Sequence, residues 1–292
     1  MTLVDQQPAP RELTADQRVT SLCGELTELL RPGGGGHDAL AAADLIVHLA
    51  AAVSAECEAD FDRGLRMNVH ATESLLQSCR ALGTNPVFVF ASSVAVFGHS
   101  PDHPLPAVVD DQTLPNPQSS YGAQKVICEH LVADYTRKGF VRGRTIRLMT
   151  VSVRPGQPNA AASGFLSGII REPLAGQRAV SPVDPATRVA LASPAKAIGA
   201  LLCAAGSAAA TWGGRSAVNM PALSVTVADM VAALDRVSPA AAALIEWIPD
   251  PATAAVILSW PARFRADRAA SLGLTPDPDF ESIIRAHLKT AT

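Results

Sequence analysis

Short, continuous apolar runs alternate along the first half of the chain with longer stretches in which apolar residues recur at helical spacing. "TLVD" (2–5) reads as a short buried strand ending on an acid, and "RVTSLCGEL" (18–26) as a second strand ending near Gly24 and Glu25. "DLIVHLAA" (44–51) is an unbroken apolar run between turn-like residues, the mark of a strand buried on both faces. Residues 61–82 then place Leu65, Val69, Leu75, Leu76 and Cys79 at helical spacing, and "PVFVFASS" (86–93) is another apolar strand. A polar, proline-rich loop runs from about 98 to 119. A helix begins at Ser119 or Ser120, and a strand follows over 144–156.

This alternation predicts an α/β fold built on a doubly wound parallel sheet. The second half is more broken, with helices predicted at 163–174, 194–205, 226–237, 251–258 and 278–288. Short strands are predicted near 188–192, 216–220 and 245–248. The chain therefore divides into a sheet domain, residues 1–155, and a smaller lobe, 156–292, that closes over the sheet's carboxyl edge and returns some segments to the sheet.

Composition narrows the class of protein. An apolar share of 48% with 17% charged residues in 292 residues describes a well-buried globular core. A net charge of −3 gives no footprint for nucleic acid or acidic membrane. The five cysteines, Cys23, Cys57, Cys79, Cys128 and Cys203, form no C-x-x-C, so reduced thiols in a cytoplasmic protein are expected. No apolar run approaches the roughly 18 residues of a membrane span, and "MTLVDQQPAPRELT" lacks the features of a signal peptide. His99 and His103 lie four apart in a proline-rich loop without Cys or acid partners, so no metal site is expected.

The chemistry concentrates where the strands end. In doubly wound sheets ligands sit at the carboxyl ends of the strands. Ser92 and Ser93 end one strand, and His48, Leu49, Ala50 and Ala51 end another, where small residues let a ligand approach the backbone. Asp5 ends the first. "SSYGAQK" (119–125) puts Tyr121 and Lys125 four apart, on one helix face. That spacing alone also fits two surface residues sharing a face. A tyrosine titrates near 10 when unperturbed, too high for a base at neutral pH, and a nearby ammonium or a helix N-terminus favours its phenolate.

The order "SSVAVFG" (92–98), then Tyr-x-x-x-Lys, then "RPG" (154–156), resembles the extended short-chain dehydrogenase/reductase superfamily, which includes nucleotide-sugar epimerases and dehydratases. The resemblance runs from near residue 1 to the C-terminus, with Phe97 where the motif more often has tyrosine. It implies Ser93, Tyr121 and Lys125 as catalytic residues and an NAD-binding Rossmann-like domain over residues 1–155. Ser93 would hold the substrate oxygen, Tyr121 would be the general base, and Lys125 would also hydrogen-bond the nicotinamide ribose.

Asp5 matches the second-strand acid that bonds the adenosine ribose, and Gln6 and Gln7 follow it where an NADP enzyme would want arginine, so NAD is favoured. An exposed strand-end acid remains the plain alternative. Glu25 and Leu26 match the family's adenine contacts, although the family more often has Asp there. Asn68 either braces the cofactor or caps a turn. "SSYGAQKVICEHLVADYTRKGFVRGRTIRL" and "SVRPGQPNAAASGFLSGIIREPLAGQ" look like the branch that oxidises the four-carbon sugar acid D-erythronate at C2 with NAD. Arg171 and Arg188 are then candidates for the substrate carboxylate, with Asn159 and Ser163 beside Arg171 in the branch-specific segment.

Other readings remain open: a nucleotide-sugar epimerase or dehydratase, or a non-catalytic regulatory homologue. The dehydratase reading would want an acidic pair just after the catalytic serine, where Val94 and Ala95 stand. Partners are expected to be a small-molecule substrate and, from the resemblance, a second copy in a homodimer.

The family's first strand, its phosphate-binding glycine turn and its first helix are expected before "TLVD", and residue 1 falls where the second strand begins. The chain therefore reads as an N-terminally truncated member. "GGGGHDA" (33–39) fits G-x-x-G-x-x-A in form, but Pro32 precedes it and no apolar strand feeds it, so a loop is expected. The first strand is central in the order 3-2-1-4-5-6, so without it the strands at 2–5 and 18–22 should separate from the rest.

Overall fold

The computed structural model describes residues 1–156 and 161–291. Its strands are β1 (Thr2–Asp5), β2 (Thr20–Cys23), β3 (Leu45–His48), β4 (Val87–Ser93), β5 (Arg142–Leu148) and β6 (Thr150–Val151), then β7 (Ala179–Ser181), β8 (Arg188–Ala192), β9 (Val218–Asn219), β10 (Leu223–Thr226) and β11 (Ile245–Trp247). The main sheet has the order β3-β4-β5-β9, parallel throughout. In β4, Phe88 and Phe90 face Leu75, Leu76, Cys79, Cys128 and Val132 from the helices Ala71–Leu82 and Ser120–Arg137. Val89 points the other way, toward Ala204 on the helix Pro194–Gly206 and toward Trp212. A strand buried on both faces explains the continuous apolar run read at 86–93.

β1 and β2 pair only with each other, in parallel, and β3 pairs only with β4 among the described residues. The β1–β2 pair thus stands apart from the main sheet. Leu45 and Val47 of β3 are exposed. The β1–β2 pair is attached through Leu30 and Leu40, which are buried against the helix Ala71–Leu82. The smaller lobe has its own core, including Leu166, Ile169, Leu191, Met230, Leu234 and Ile284. Beside it stand the sheets β10-β8-β6 and β11-β7, the first taking β6 from before residue 156, while β9 returns to the main sheet beside β5.

Four local expectations change. Residues 61–82 are not one helix: a short helix Phe61–Gly64 leads into a π-helical turn, Leu65–His70, before Ala71–Leu82. Gly35–Ala41 is helical where a loop was expected. Gly36 is buried, and a Cβ there would lie 2.8 Å from the Leu29 carbonyl oxygen, so glycine permits the close approach. The strand read at 144–156 leaves the main sheet after Leu148, and β6 pairs with β8 instead. β7 and β10 are too short to show a period of two, and they form by pairing across the lobe.

One polar cluster ties the layers together. Glu129, on the helix Ser120–Arg137, accepts from Arg147 Nε at 2.9 Å and Nη2 at 2.7 Å, and from Ser92 Oγ at 2.5 Å. Arg147 Nη1 also donates to Asn219 Oδ1 at 3.3 Å, and its guanidinium lies 4.8 Å from the Phe97 ring. All three elements β4, β5 and β9 are thereby joined to that helix. A buried ion pair of this kind is costly to desolvate, and costlier to break by halves.

His48, at the end of β3, is buried with Nε2 2.9 Å from Thr72 Oγ1 and its ring near Phe88 and Phe90. Burial, and next the Lys125 charge, push its pKa from 6.5 to about 3, so it is held neutral.

Two outcomes follow for urea unfolding. Glu129→Met should cost about 3–5 kcal/mol, whereas Glu129→Met with Arg147→Met should be more stable than either single variant; additive losses would contradict the pairing. The folded-state value of His48 lies below the unfolded one, so the unfolded chain takes the extra proton between them. Stability should fall as pH drops from 6.5 toward 3, by up to about 1.4 kcal/mol per pH unit for this one proton. His48→Asn should flatten the curve over that window.

Candidate active site

β4 delivers Ser93 to the carboxyl edge of the main sheet. Its Oγ accepts the Ala95 N–H at 3.2 Å, capping a short turn, Val94–Val96. The helix Ser120–Arg137 is started by two side chains: Ser119 Oγ accepts the Gly122 N–H at 3.1 Å, and Glu58 Oε1 accepts the Ser120 N–H at 2.7 Å. Gly122 lets the helix press against the turn after Ser93, since a Cβ there would lie 2.1 Å from the Ala95 carbonyl oxygen. The first helical turn therefore carries Tyr121 alongside the Ser93 turn.

Lys125 lies one turn further in and is 3% exposed. Its Nζ donates to the Ala91 carbonyl at 2.8 Å, sits 4.8 Å from the Phe90 ring centroid and 5.6 Å from that of Tyr121. No carboxylate pairs with it among the described residues. A buried ammonium with one carbonyl partner keeps two donors for other oxygens, and it favours negative charge on a neighbouring group. Tyr121 is half-buried.

Beside this centre, Leu49 and Ala50 are exposed and Ala51 is half-buried in the loop that leaves β3. Asn68 is buried, and its amide is bonded to the Ala52 N–H and C=O and to Gln124. It braces the loop from below, while its side chain is closed off from solvent. Asp5 is exposed at the end of β1, with Oδ1 accepting the Gln7 N–H at 2.8 Å. Glu25 is exposed nearby and accepts from Gln6 Nε2 at 2.6 Å, and Leu26 is half-buried at the start of the next helix.

The substrate-side residues fall into different places. Arg188 is exposed and shares a cavity with Val94, Thr150, Leu166 and Trp260, next to the turn that follows Ser93. Arg171 is engaged elsewhere: Nη1 donates to the Arg154 carbonyl at 2.9 Å and Nη2 to Glu172 at 2.6 Å. Ser163 is half-buried just before the helix Phe165–Leu174, in a segment tied to the β3 side by Ala162 N–H to Ser54 Oγ at 3.2 Å. Asn159 lies outside the described residues.

Sequence reasoning did not single out Gln124, Glu129, Arg147 or Arg154. Glu129 continues the four-residue stripe of Tyr121 and Lys125, a signal that was available. Arg147 becomes its partner only through the sheet register that sets Arg147 opposite Ser92. Arg154 is half-buried, its pKa lowered by burial and then by Arg171, and its guanidinium has no ion pair among the described residues. No group of three or more metal-ligating side chains occurs among the described residues, and no helix there is long and apolar enough to cross a membrane.

Comparisons with known proteins identify the family. Residues 36–188 match the NAD dependent epimerase/dehydratase family. The chain is 50% identical over 247 residues to a D-erythronate dehydrogenase of Cupriavidus necator, covering 84% of this chain and 75% of that protein. A D-erythronate dehydrogenase of Haemophilus influenzae is 39% identical, with 84% and 77% covered. Among solved structures, a nucleoside-diphosphate-sugar epimerase from Agrobacterium tumefaciens superposes with a TM-score of 0.88 at 41% identity, over 99% of this chain and 84% of that one. A GalE-like L-threonine dehydrogenase from Cupriavidus necator, 20% identical with a TM-score of 0.86, shares the fold. With a family match over more than half its length and a half-identical relative, the chain belongs to the NAD-dependent epimerase/dehydratase family.

Proposed function

We propose that this chain oxidises the C2 hydroxyl of a small sugar acid, D-erythronate to 2-dehydro-D-erythronate, with NAD as oxidant. The observation that carries the reading is the buried Lys125 ammonium beside Tyr121, on a helix pressed against the turn after Ser93. The identity to D-erythronate dehydrogenases supplies the substrate. A homodimer is expected from the resemblance to the family, and a cytoplasmic location from the five cysteines, all free in the fold.

The residues present fit NAD at both ends. Lys125 has donors to offer ribose hydroxyls, and the exposed carboxylate of Asp5 can accept from the adenosine ribose and disfavours a 2′-phosphate. Glu25 and Leu26 flank the adenine side, and Leu49, Ala50 and Ala51 leave the loop after β3 low enough for close approach. When bound, NAD supplies the hydride acceptor. Ser93 hydrogen-bonds the substrate hydroxyl, Tyr121 takes its proton, and Lys125 stabilises the charge on the phenolate that does so.

Arg188 is assigned the substrate carboxylate, because it lines the cavity beside Val94 and its charge is felt by Asp229 only from beyond ion-pair distance, whereas Arg171 is closed on Glu172. Arg171, engaged with Glu172 and the Arg154 carbonyl, is assigned to hold the shape of that segment, and Ser163 to line the substrate side. The residues at Val94 and Ala95 offer no acid for dehydration.

NADH formation from a panel of aldonic acids tests the reading, with nucleotide sugars as controls. D-Erythronate should yield NADH and the nucleotide sugars should be recovered unchanged by chromatography; their epimerisation, which forms no net NADH, without oxidation of the sugar acid would favour an epimerase instead. Tyr121→Phe should lower kcat by roughly 10²- to 10⁴-fold with the fold intact. Arg188→Met should raise KM for the sugar acid roughly ten- to hundred-fold, as the loss of a charge-assisted hydrogen bond does, whereas Arg171→Met should raise it far less. The reverse order would move the carboxylate site to Arg171.

A further inference from the structure

Asn68 stands in the π-helical turn Leu65–His70, an irregularity that recurs at functional sites. Its Oδ1 accepts the Ala52 N–H at 2.8 Å, and its Nδ2 donates to the Ala52 carbonyl at 3.2 Å and to Gln124 Oε1 at 2.7 Å. Cys57 Sγ lies 3.3 Å from the same Nδ2. The backbone of Ala52 settles which way the Asn68 amide faces, since an N–H needs an acceptor and a carbonyl a donor. Gln124 must then turn its own oxygen toward Asn68.

That orientation leaves Gln124 Nε2 buried with no partner. Room for it exists because residue 64 is glycine: a Cβ there would lie 2.7 Å from Nε2. Gln124 is 2% exposed and immediately precedes Lys125. An apolar residue would fill this position without an orphaned donor, so the polar side chain stands against its local packing interest.

We infer that Gln124 is a positioning residue that couples the loop after β3 to the helix carrying Tyr121 and Lys125. The link runs from the Ala52 peptide groups through Asn68 to Gln124, and it spans two segments that the reading above places against the same dinucleotide. Ordering the loop on NAD and setting Lys125 beside Tyr121 become one equilibrium. The inference rests on the NAD reading, and it goes beyond it by assigning to Gln124 a role that is neither contact with NAD nor chemistry.

The test is a double-mutant cycle on the full chain, with NAD affinity measured by calorimetry and kcat/KM followed against pH. Gln124→Met, similar in length and apolar, should raise the NAD Kd at least fivefold and move the acid limb of kcat/KM upward. Gln124→Glu, which keeps an acceptor facing Asn68, should restore most of the NAD affinity. Asn68→Ala combined with Gln124→Met should bind NAD no more weakly than Asn68→Ala alone; where Asn68→Ala does not fold, Asn68→Asp takes its place. A Kd for Gln124→Met within twofold of wild type, additive losses in the cycle, or a lowered Tm with Kd and pH profile unmoved would each overturn the coupling. A wild-type chain that binds no NAD would overturn the reading beneath it instead.

Discussion

A single buried cation organises this molecule. Lys125 Nζ is fixed by the Ala91 carbonyl and lies over the Phe90 ring, deep between the main sheet and the helix Ser120–Arg137. An ammonium out of water without a carboxylate is tolerated only where neighbours are arranged around it. His48 is held neutral partly by its charge, and the Tyr121 ring lies within reach of it. Every element of the centre must hold its register for that cation to remain both buried and useful.

Two polar assemblies hold that register from opposite sides. On one side, Glu129 joins Arg147 and Ser92, bonding the middle of the helix to β4 and β5. On the other, Gln124 and Asn68 reach to Ala52 and the loop that leaves β3. Lys125 sits in sequence between Gln124 and Glu129, so the helix is gripped just before and one turn after it. Gly122 completes the arrangement by allowing the helix to touch the turn after Ser93. Small residues and buried polar bonds, rather than apolar packing alone, set where Ser93, Tyr121 and Lys125 stand.

Much of this was visible in the residues. The run "VFVFASS" announced a strand buried on both faces with serines at its carboxyl end, and Tyr121 and Lys125 announced one helix face. The π-helical turn was not, because Leu65, Val69 and Leu76 keep an ordinary helical period while the hydrogen bonding between them changes. Nor was the helix Gly35–Ala41, whose glycines are weak helix formers kept in place by contact with Leu29.

The sequence by itself determined the alternation of strands and helices, the serine at a strand end and the Tyr–Lys face, since each depends on residues near one another in the chain. The tertiary structure alone decided how the two arginines are engaged. Arg188 and Arg171 are alike as residues, yet one opens on the cavity beside Val94 and the other is closed by Glu172 and the Arg154 carbonyl. It also decided that Asn68 grips a loop while Gln124 grips Asn68. A guanidinium or an amide takes its role from the partners brought to it, and those partners lie tens of residues away in the chain.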